Sequence, residues 1–159
     1  MDMEAARTVM VDTQVRPNDV TGRSLISALL RTPREAYLPK ALEAVAYTEK
    51  PLETSPGRWL WAPRDFGKLL EEAEIEEGER VLNIAAGSGY VSAVLAAMGA
   101  QVTALEDDEA LGALLGTMEM LHCGTSCFLD MGAQWDPAVV ARAVERTGIR
   151  GVTGRHAAD

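Results

Sequence analysis

The stretch from Glu79 to Gly99 constrains the fold more than any other part of the chain. It opens with a short apolar run, Val81 to Ile84, which suits a strand covered on both faces, as in a parallel sheet. Gly87 and Gly89 then bracket Ser88 in a tight turn. Val91, Val94, Leu95 and Met98 follow at helical spacing, and Gly99 stands where a helix commonly stops. Strand, glycine turn and helix together make a site for an anionic or polar ligand. The glycines let the backbone come close, and the N–H groups of the helix start point at the ligand.

The next segment strengthens this reading. Gln101 to Leu105 is short and apolar, and it ends in Glu106-Asp107-Asp108. Glu106 follows Gly87 by 19 residues, close to the roughly 20-residue offset at which an acidic residue grips ribose hydroxyls in doubly wound folds. The same acids would also suit the first turn of a following helix.

Composition bounds the alternatives. The 159 residues fit one domain with a real core, and 47% apolar and 25% charged residues are ordinary for a globular protein. A net charge of −9 argues against nucleic-acid binding through phosphate contacts. No apolar run reaches the length of a membrane span, and the start lacks a signal-peptide pattern, so no membrane partner is expected and the cytoplasm is the default. His122, Cys123, Cys127 and the distant His156 could supply metal ligands, but their spacing fits no structural zinc pattern. The expectation is no metal, with both cysteines reduced and partly buried.

In chain order, residues 3–15 read as a helix with Ala6, Val9, Met10 and Val11 on its apolar side, ended by Pro17. Asp19 or Thr21 would cap a second helix through Leu25, Ile26, Ala28, Leu29 and Leu30, stopped by Thr32-Pro33. Residues 48–60 read as irregular because Pro51, Pro56 and Gly57 break them, and Phe66 to Ala73 as helical. Asp136 as N-cap, Pro137 in the first turn and Gly148 past the end mark a late helix. Only Thr125 to Leu129 suggests a third strand, and Gly148 to Asp159 reads as a loose end.

Several segments in order carry a family likeness: Met10 to Arg16, Pro33-Arg-Glu-Ala-Tyr-Leu-Pro39, Ala46-Tyr47, Gly57 to Pro63, and Val81 to Tyr90 with its Gly-Ser-Gly-Tyr. Over residues 1 to about 115 the chain resembles the protein-L-isoaspartate O-methyltransferases, in a bacterial branch with an altered substrate loop. The resemblance implies an α/β, Rossmann-like S-adenosylmethionine-dependent methyltransferase fold with an N-terminal helical extension. It implies methylation of the free carboxylate of isoaspartyl residues in damaged proteins and peptides. Carried over residue by residue, Asn83, Ala85, Gly87, Ser88, Gly89 and Tyr90 would face the cofactor's methionine part, and Glu106 would hold its ribose. Asn83 stands where the family has an acid, and Ala85 where its loop has its first glycine. An alanine suits that place if its backbone angle is ordinary.

In the substrate loop, Trp59-Leu-Trp-Ala-Pro63 replaces the family's Thr-Ile-Ser-Gln-Pro, so Trp61 takes the place of a hydroxyl near the reacting carboxylate. Trp61 offers its indole N–H, and Arg58 or Arg64 could clamp a carboxylate. Alternatively, Trp59 and Trp61 cover the core and the arginines are solvated. No catalytic residue is assigned.

Past residue 115 the resemblance fades. The expected organisation is a helical extension and substrate loop over 1–75, a partial cofactor-binding core over 76–130, and a divergent helix and tail over 131–159. A sheet without its later strands would expose an edge and an apolar face, which a homodimer could cover. Three functions therefore stand: an isoaspartyl-type methyltransferase, a shortened or frame-altered inactive relative acting through protein contacts, and a nicotinamide-dependent dehydrogenase. The third lacks the Gly-x-Gly-x-x-Gly spacing.

Overall fold

The computed structural model describes residues 2–106, 109–130 and 137–153. Asp107, Asp108, the expected cap Asp136 and His156 lie outside the described residues. The chain divides after Leu105 into two compact units, residues 1–105 and 106–159.

In the first unit, helix α1 (Met3–Met10) starts at Asp2, whose carboxylate accepts the N–H groups of Glu4 and Ala5, each at 3.1 Å. The helix widens into a π turn over Val11–Val15 and tightens into a 3₁₀ turn over Arg16–Asn18, which contains Pro17. The inward stripe runs through Met10, Val11 and Val15. Val9, expected on that stripe, lies roughly 100° round the helix from Met10 and is 58% exposed.

Helix α2 (Arg23–Arg31) buries Leu25, Ile26, Ala28 and Leu29 and stops at Thr32, whose hydroxyl donates to the Ala28 carbonyl at 2.8 Å. Its start departs from expectation. Neither Asp19 nor Thr21 caps it, and Asp19 has left-handed backbone, with φ 64°. Glu71 of helix α3 (Pro63–Glu72) reaches over instead and accepts the N–H groups of Thr21 and Gly22 at 2.8 and 2.9 Å.

Residues 48–60 are not irregular throughout. Strands β1 (Leu52–Ser55) and β2 (Arg58–Leu60) form an antiparallel hairpin pairing Leu52 with Leu60 and Glu53 with Trp59. The residues read as breakers form its turn: Pro56 suits the first central place of a type II turn, and Gly57, at φ 74°, suits the second.

Strand β3 (Arg80–Ile84), helix α4 (Tyr90–Ala97) and strand β4 (Gln101–Leu105) follow as expected, with the two strands parallel and in register from Arg80–Gln101 to Ile84–Leu105. Gly99 ends the helix at φ 100°. One hydrophobic cluster joins the helical extension to this β-α-β unit, including Met10, Val15, Leu25, Leu29, Phe66, Tyr90, Val94 and Leu95. The expectation that β3 is covered on both faces fails. Leu82, Ile84 and Leu105 are exposed, on the face away from α4.

The second unit is also β-α-β. Helix α5 (Glu109–His122) precedes strand β5 (Cys127–Asp130), which pairs in parallel with strand β6 (Arg150–Thr153) across helix α6 (Pro137–Thr147). Strand β6 corrects the reading of Gly148 onward as loose through Thr153, while Gly148 does end α6, at φ 72°. Ala113, Leu114, Val139 and Ala143 form this unit's core. Cys123 and Cys127 are both free and exposed, not partly buried.

Candidate active-site cleft

A cleft of about 210 Å³ opens in the first unit between two walls. One wall is the end of β3, the loop from Ala85 to Ser88 and the start of α4, contributing Asn83, Ile84, Ala85, Gly87, Ser88 and Tyr90. The other is the hairpin and α3, contributing Thr54, Arg58, Trp59, Trp61, Phe66 and Leu69. The structure thus brings the candidate cofactor loop and two of the three candidate substrate residues to one cavity.

Arg64 is elsewhere. It lies in the first turn of α3, where its Nε donates to the Asp65 carboxylate at 2.8 Å, and it is not part of the lining. Gly89 sits behind the cleft as the N-cap of α4, at φ 89°, and donates to the Ala86 carbonyl. Glu106 is the residue after β4 and the first of the second unit. Trp59 and Trp61 do not cover the core: they are 57% and 54% exposed, and Leu60 between them is buried.

The loop's backbone explains its composition. Ala85, Gly87 and Gly89 all have positive φ, at 57°, 59° and 89°. The angle of Ala85 is therefore not ordinary for an alanine, and its methyl sits in a conformation that L side chains resist. No atom lies within 4 Å of where a Cβ on Gly87 would stand, so a side chain there would meet open space. The Asn83 amide donates to the Ser92 hydroxyl at 2.9 Å, tying the end of β3 to the first turn of α4. Its amide oxygen can accept from a ligand ammonium by hydrogen bonding, though not by charge. A glycine loop, a polar strand end and a helix start fit the amino-acid portion of a nucleoside cofactor.

Arg34 is the functional residue to which sequence reasoning gave no role. It is 1% exposed; its Nε donates to the Ala46 carbonyl at 2.8 Å and its Nη2 to the Trp61 carbonyl. Its guanidinium lies 5.1 Å from the centre of the Tyr90 ring, a cation–π arrangement. Tyr37 and Phe66 also pack on that ring, with centroids 5.6 and 5.5 Å away. Arg34 thereby links the hairpin wall to the first residue of α4, and Tyr90, though it lines the cleft, serves chiefly as an aromatic anchor. Burial lowers the Arg34 pKa and raises that of Tyr90. The signal in the sequence was Pro33-Arg-Glu, a family marker whose reach to Trp61 has no local pattern. Glu35 beside it accepts the Tyr47 hydroxyl, and Gln14 holds the Tyr47 carbonyl at 2.9 Å. Among the described residues no group of three potential metal ligands occurs.

Parallel β3 and β4 joined through a glycine turn and α4, with the cleft at the strand ends, form the unit of a Rossmann-like nucleotide-binding fold. Two solved structures share it: a protein-L-isoaspartate O-methyltransferase (TM-score 0.52, 20% identity, covering 96% of this chain and 42% of that one), and a Plasmodium falciparum protein described as a beta-aspartate methyltransferase in complex with S-adenosyl-L-homocysteine (TM-score 0.58, 12% identity, covering 90% and 79%). The sequence profile of the protein-L-isoaspartate(D-aspartate) O-methyltransferases matches residues 7–112, and the chain belongs to that family. Protein-L-isoaspartate O-methyltransferases of Methylorubrum extorquens and Rhodopseudomonas palustris are 40% and 34% identical over 90% and 86% of this chain. The chain spans 64% and 60% of their respective lengths.

Proposed function

We propose that this chain is an S-adenosylmethionine-dependent methyltransferase acting on the free carboxylate of isoaspartyl residues in proteins and peptides. The observation that carries the reading is the shared cleft, in which the glycine loop of a family member faces Arg58 and Trp61 across one cavity. Bound S-adenosylmethionine would supply a sulfonium methyl group that a carboxylate oxygen could take as its methyl ester, with S-adenosylhomocysteine carrying away the C–S bond pair. No proton moves in that step, so the protein needs no strong base and works by positioning and by excluding water. Arg58 and the Trp61 indole N–H orient the acceptor carboxylate. Asn83 and the backbone at Gly87 hold the amino-acid end of the cofactor, Ser88 and Tyr90 close the loop behind it, and Glu106 accepts from the ribose hydroxyls.

The test is calorimetric titration with S-adenosylhomocysteine, alongside a Glu106→Ala variant. Saturable binding that the variant loses is expected, followed by methanol released from base-labile esters on an isoaspartyl peptide. A folded chain that takes up no ligand overturns the reading and leaves an inactive relative. On the same reading the protein works in the cytoplasm, where the exposed thiols of Cys123 and Cys127 stay reduced. A second copy covers the apolar face of Leu82, Ile84 and Leu105; sedimentation equilibrium with a single mass at all concentrations, equal to one chain, would exclude that dimer.

A further inference from the structure

Arg34 is a buried cation whose guanidinium faces two backbone carbonyls and an aromatic ring, and its Nη1 has no hydrogen-bond partner among the described residues. Stability alone gives a weak reason for a charge at this place. Burying an incompletely compensated ion is costly, and apolar replacements are often neutral. What the side chain holds gives a stronger one.

Its first anchor is fixed. The Ala46 carbonyl takes the Nε donor, and Ala46 is fully buried. The next residue, Tyr47, is braced twice: Glu35 accepts its hydroxyl, and Gln14, in the π turn over Val11–Val15, donates to its carbonyl. The second partner has less support of its own. Trp61 directly follows β2, a strand of three residues in a two-stranded hairpin whose register shifts between Glu53 and Ser55. Such a hairpin is marginal alone in water. The Trp61 carbonyl nevertheless receives the Nη2 donor, while its indole stands exposed on the cleft. The third partner, the Tyr90 ring, belongs to the opposite wall. A planar guanidinium fixes the directions of its donors, so partners held by it are held relative to one another.

We infer that Arg34 is a positioning residue for methyl transfer: braced from the helical extension, it fixes the Trp61 end of the acceptor wall relative to the cofactor loop. This rests on the methyltransferase reading for the reaction. A transfer that needs no strong base depends on distance and alignment, and a misplacement of about 1 Å costs roughly a hundredfold. Arg34 is not part of the cleft lining, so its loss acts on alignment and not on either ligand's own contacts.

The experiment compares the wild type with Arg34→Met and Arg34→Lys, each checked by its thermal melt. Lysine keeps the charge and can reach one carbonyl, so it serves as the conservative variant. Measured are kcat and KM for an isoaspartyl peptide and the affinity for S-adenosylhomocysteine. In Arg34→Met, kcat should fall on the order of a hundredfold, with partial recovery in Arg34→Lys. KM and the affinity should stay within about threefold, the pattern of an interaction expressed in the transition state. An unchanged kcat, or a loss that KM and the affinity share, overturns the inference and keeps the enzymatic reading. A second readout needs no activity. With Trp59→Phe and Trp135→Phe, Trp61 is the one remaining tryptophan, and its time-resolved anisotropy reports local motion. Adding Arg34→Lys should raise the amplitude of its fast component, and an unmoved amplitude overturns the inference. If the wild type forms no ester, the enzymatic reading falls, while a raised amplitude still keeps Arg34 as the residue that fixes this wall.

Discussion

Ala85 carries a conformational cost at the edge of the cleft. Its φ of 57° lies in the left-handed region, where an L side chain is disfavoured and glycine is not. It is exposed, so its methyl returns little by packing. Replacing it with glycine removes the strain but adds freedom to the unfolded chain, and the two effects partly cancel. The expected outcome for Ala85→Gly is a net stabilisation of about 0.5–1 kcal/mol, read as a higher urea midpoint with an unchanged slope. A lower midpoint would mean that the methyl makes contacts worth more than the strain. Arg34 shows the opposite use of a single residue. Its pKa is lowered by burial, yet a guanidinium stays charged at any working pH. The carbonyls of Ala46 and Trp61 and the face of Tyr90 compensate part of the buried charge, while Nη1 is buried without a hydrogen-bond partner among the described residues. Each of those partners comes from a different segment, so one side chain ties three segments together.

At the scale of elements, the start of α2 depends on a residue about fifty positions later. The Glu71 carboxylate accepts from the Thr21 and Gly22 backbone, and a Cβ on Gly22 would stand 2.7 Å from its Oε2, so glycine makes the close approach possible. The N–H of Thr21 is the largest cause holding the Glu71 pKa below its ordinary 4.5. A depressed carboxylate stabilises the fold above its unfolded pKa, and the contribution is lost as pH falls through the folded value. Glu71→Gln should therefore cost about 0.5–1 kcal/mol at neutral pH, near the low end for a helix cap because the group is solvent-screened. The difference should shrink as pH falls through the folded value and the Glu71 carboxylate takes up its proton. Urea melts of the two proteins at neutral and acid pH measure this, and a difference that persists in acid would deny the charged cap. This cap also marks what the sequence made legible. β3, the glycine turn, α4 and β4 were readable because each signal is local: an apolar run, two glycines, a 3.6-residue period. The loop's place on the cleft followed from the same pattern. The hairpin was not readable, since Pro56 and Gly57 signal a break equally well in a loop or a turn, and only the pairing of Leu52 with Leu60 decides. Asp19 and Thr21 were good local caps displaced by a distant carboxylate. β6 was missed because Arg150 to Thr153 is a strand by virtue of its partner β5, not by its own composition.

For the whole molecule, the division after Leu105 implies unequal stability. The first unit draws α1, α2, α3, the hairpin and the β3-α4-β4 segment into one hydrophobic cluster, whose largest fully buried side chains include Arg34, Tyr90, Met10 and Leu25. In the second unit, the described buried apolar residues are Leu111, Ala113, Leu114, Val139, Val140, Ala143 and Ile149, with Met118 packed against them. Alanine and valine bury less apolar area than tyrosine, methionine and leucine, and stabilisation follows that area at about 25 cal/mol per Å². A unit of this size also leaves a larger share of its surface in water. Local opening should thus occur at lower free energy in the second unit than in the first. Amide hydrogen exchange at neutral pH should show the N–H groups of α5, α6 and the β5–β6 ladder exchanging well before those of α2 and α4. Equal protection in both would mean that they open only together, as one cooperative body. Adding S-adenosylhomocysteine sharpens the comparison. A ligand held at the Asn83–Tyr90 loop and by Glu106 directly after β4 slows exchange in α4 and leaves α6 as it was, because binding stabilises only the states that retain the site. Protection that rises equally in both would overturn that placement of the ligand.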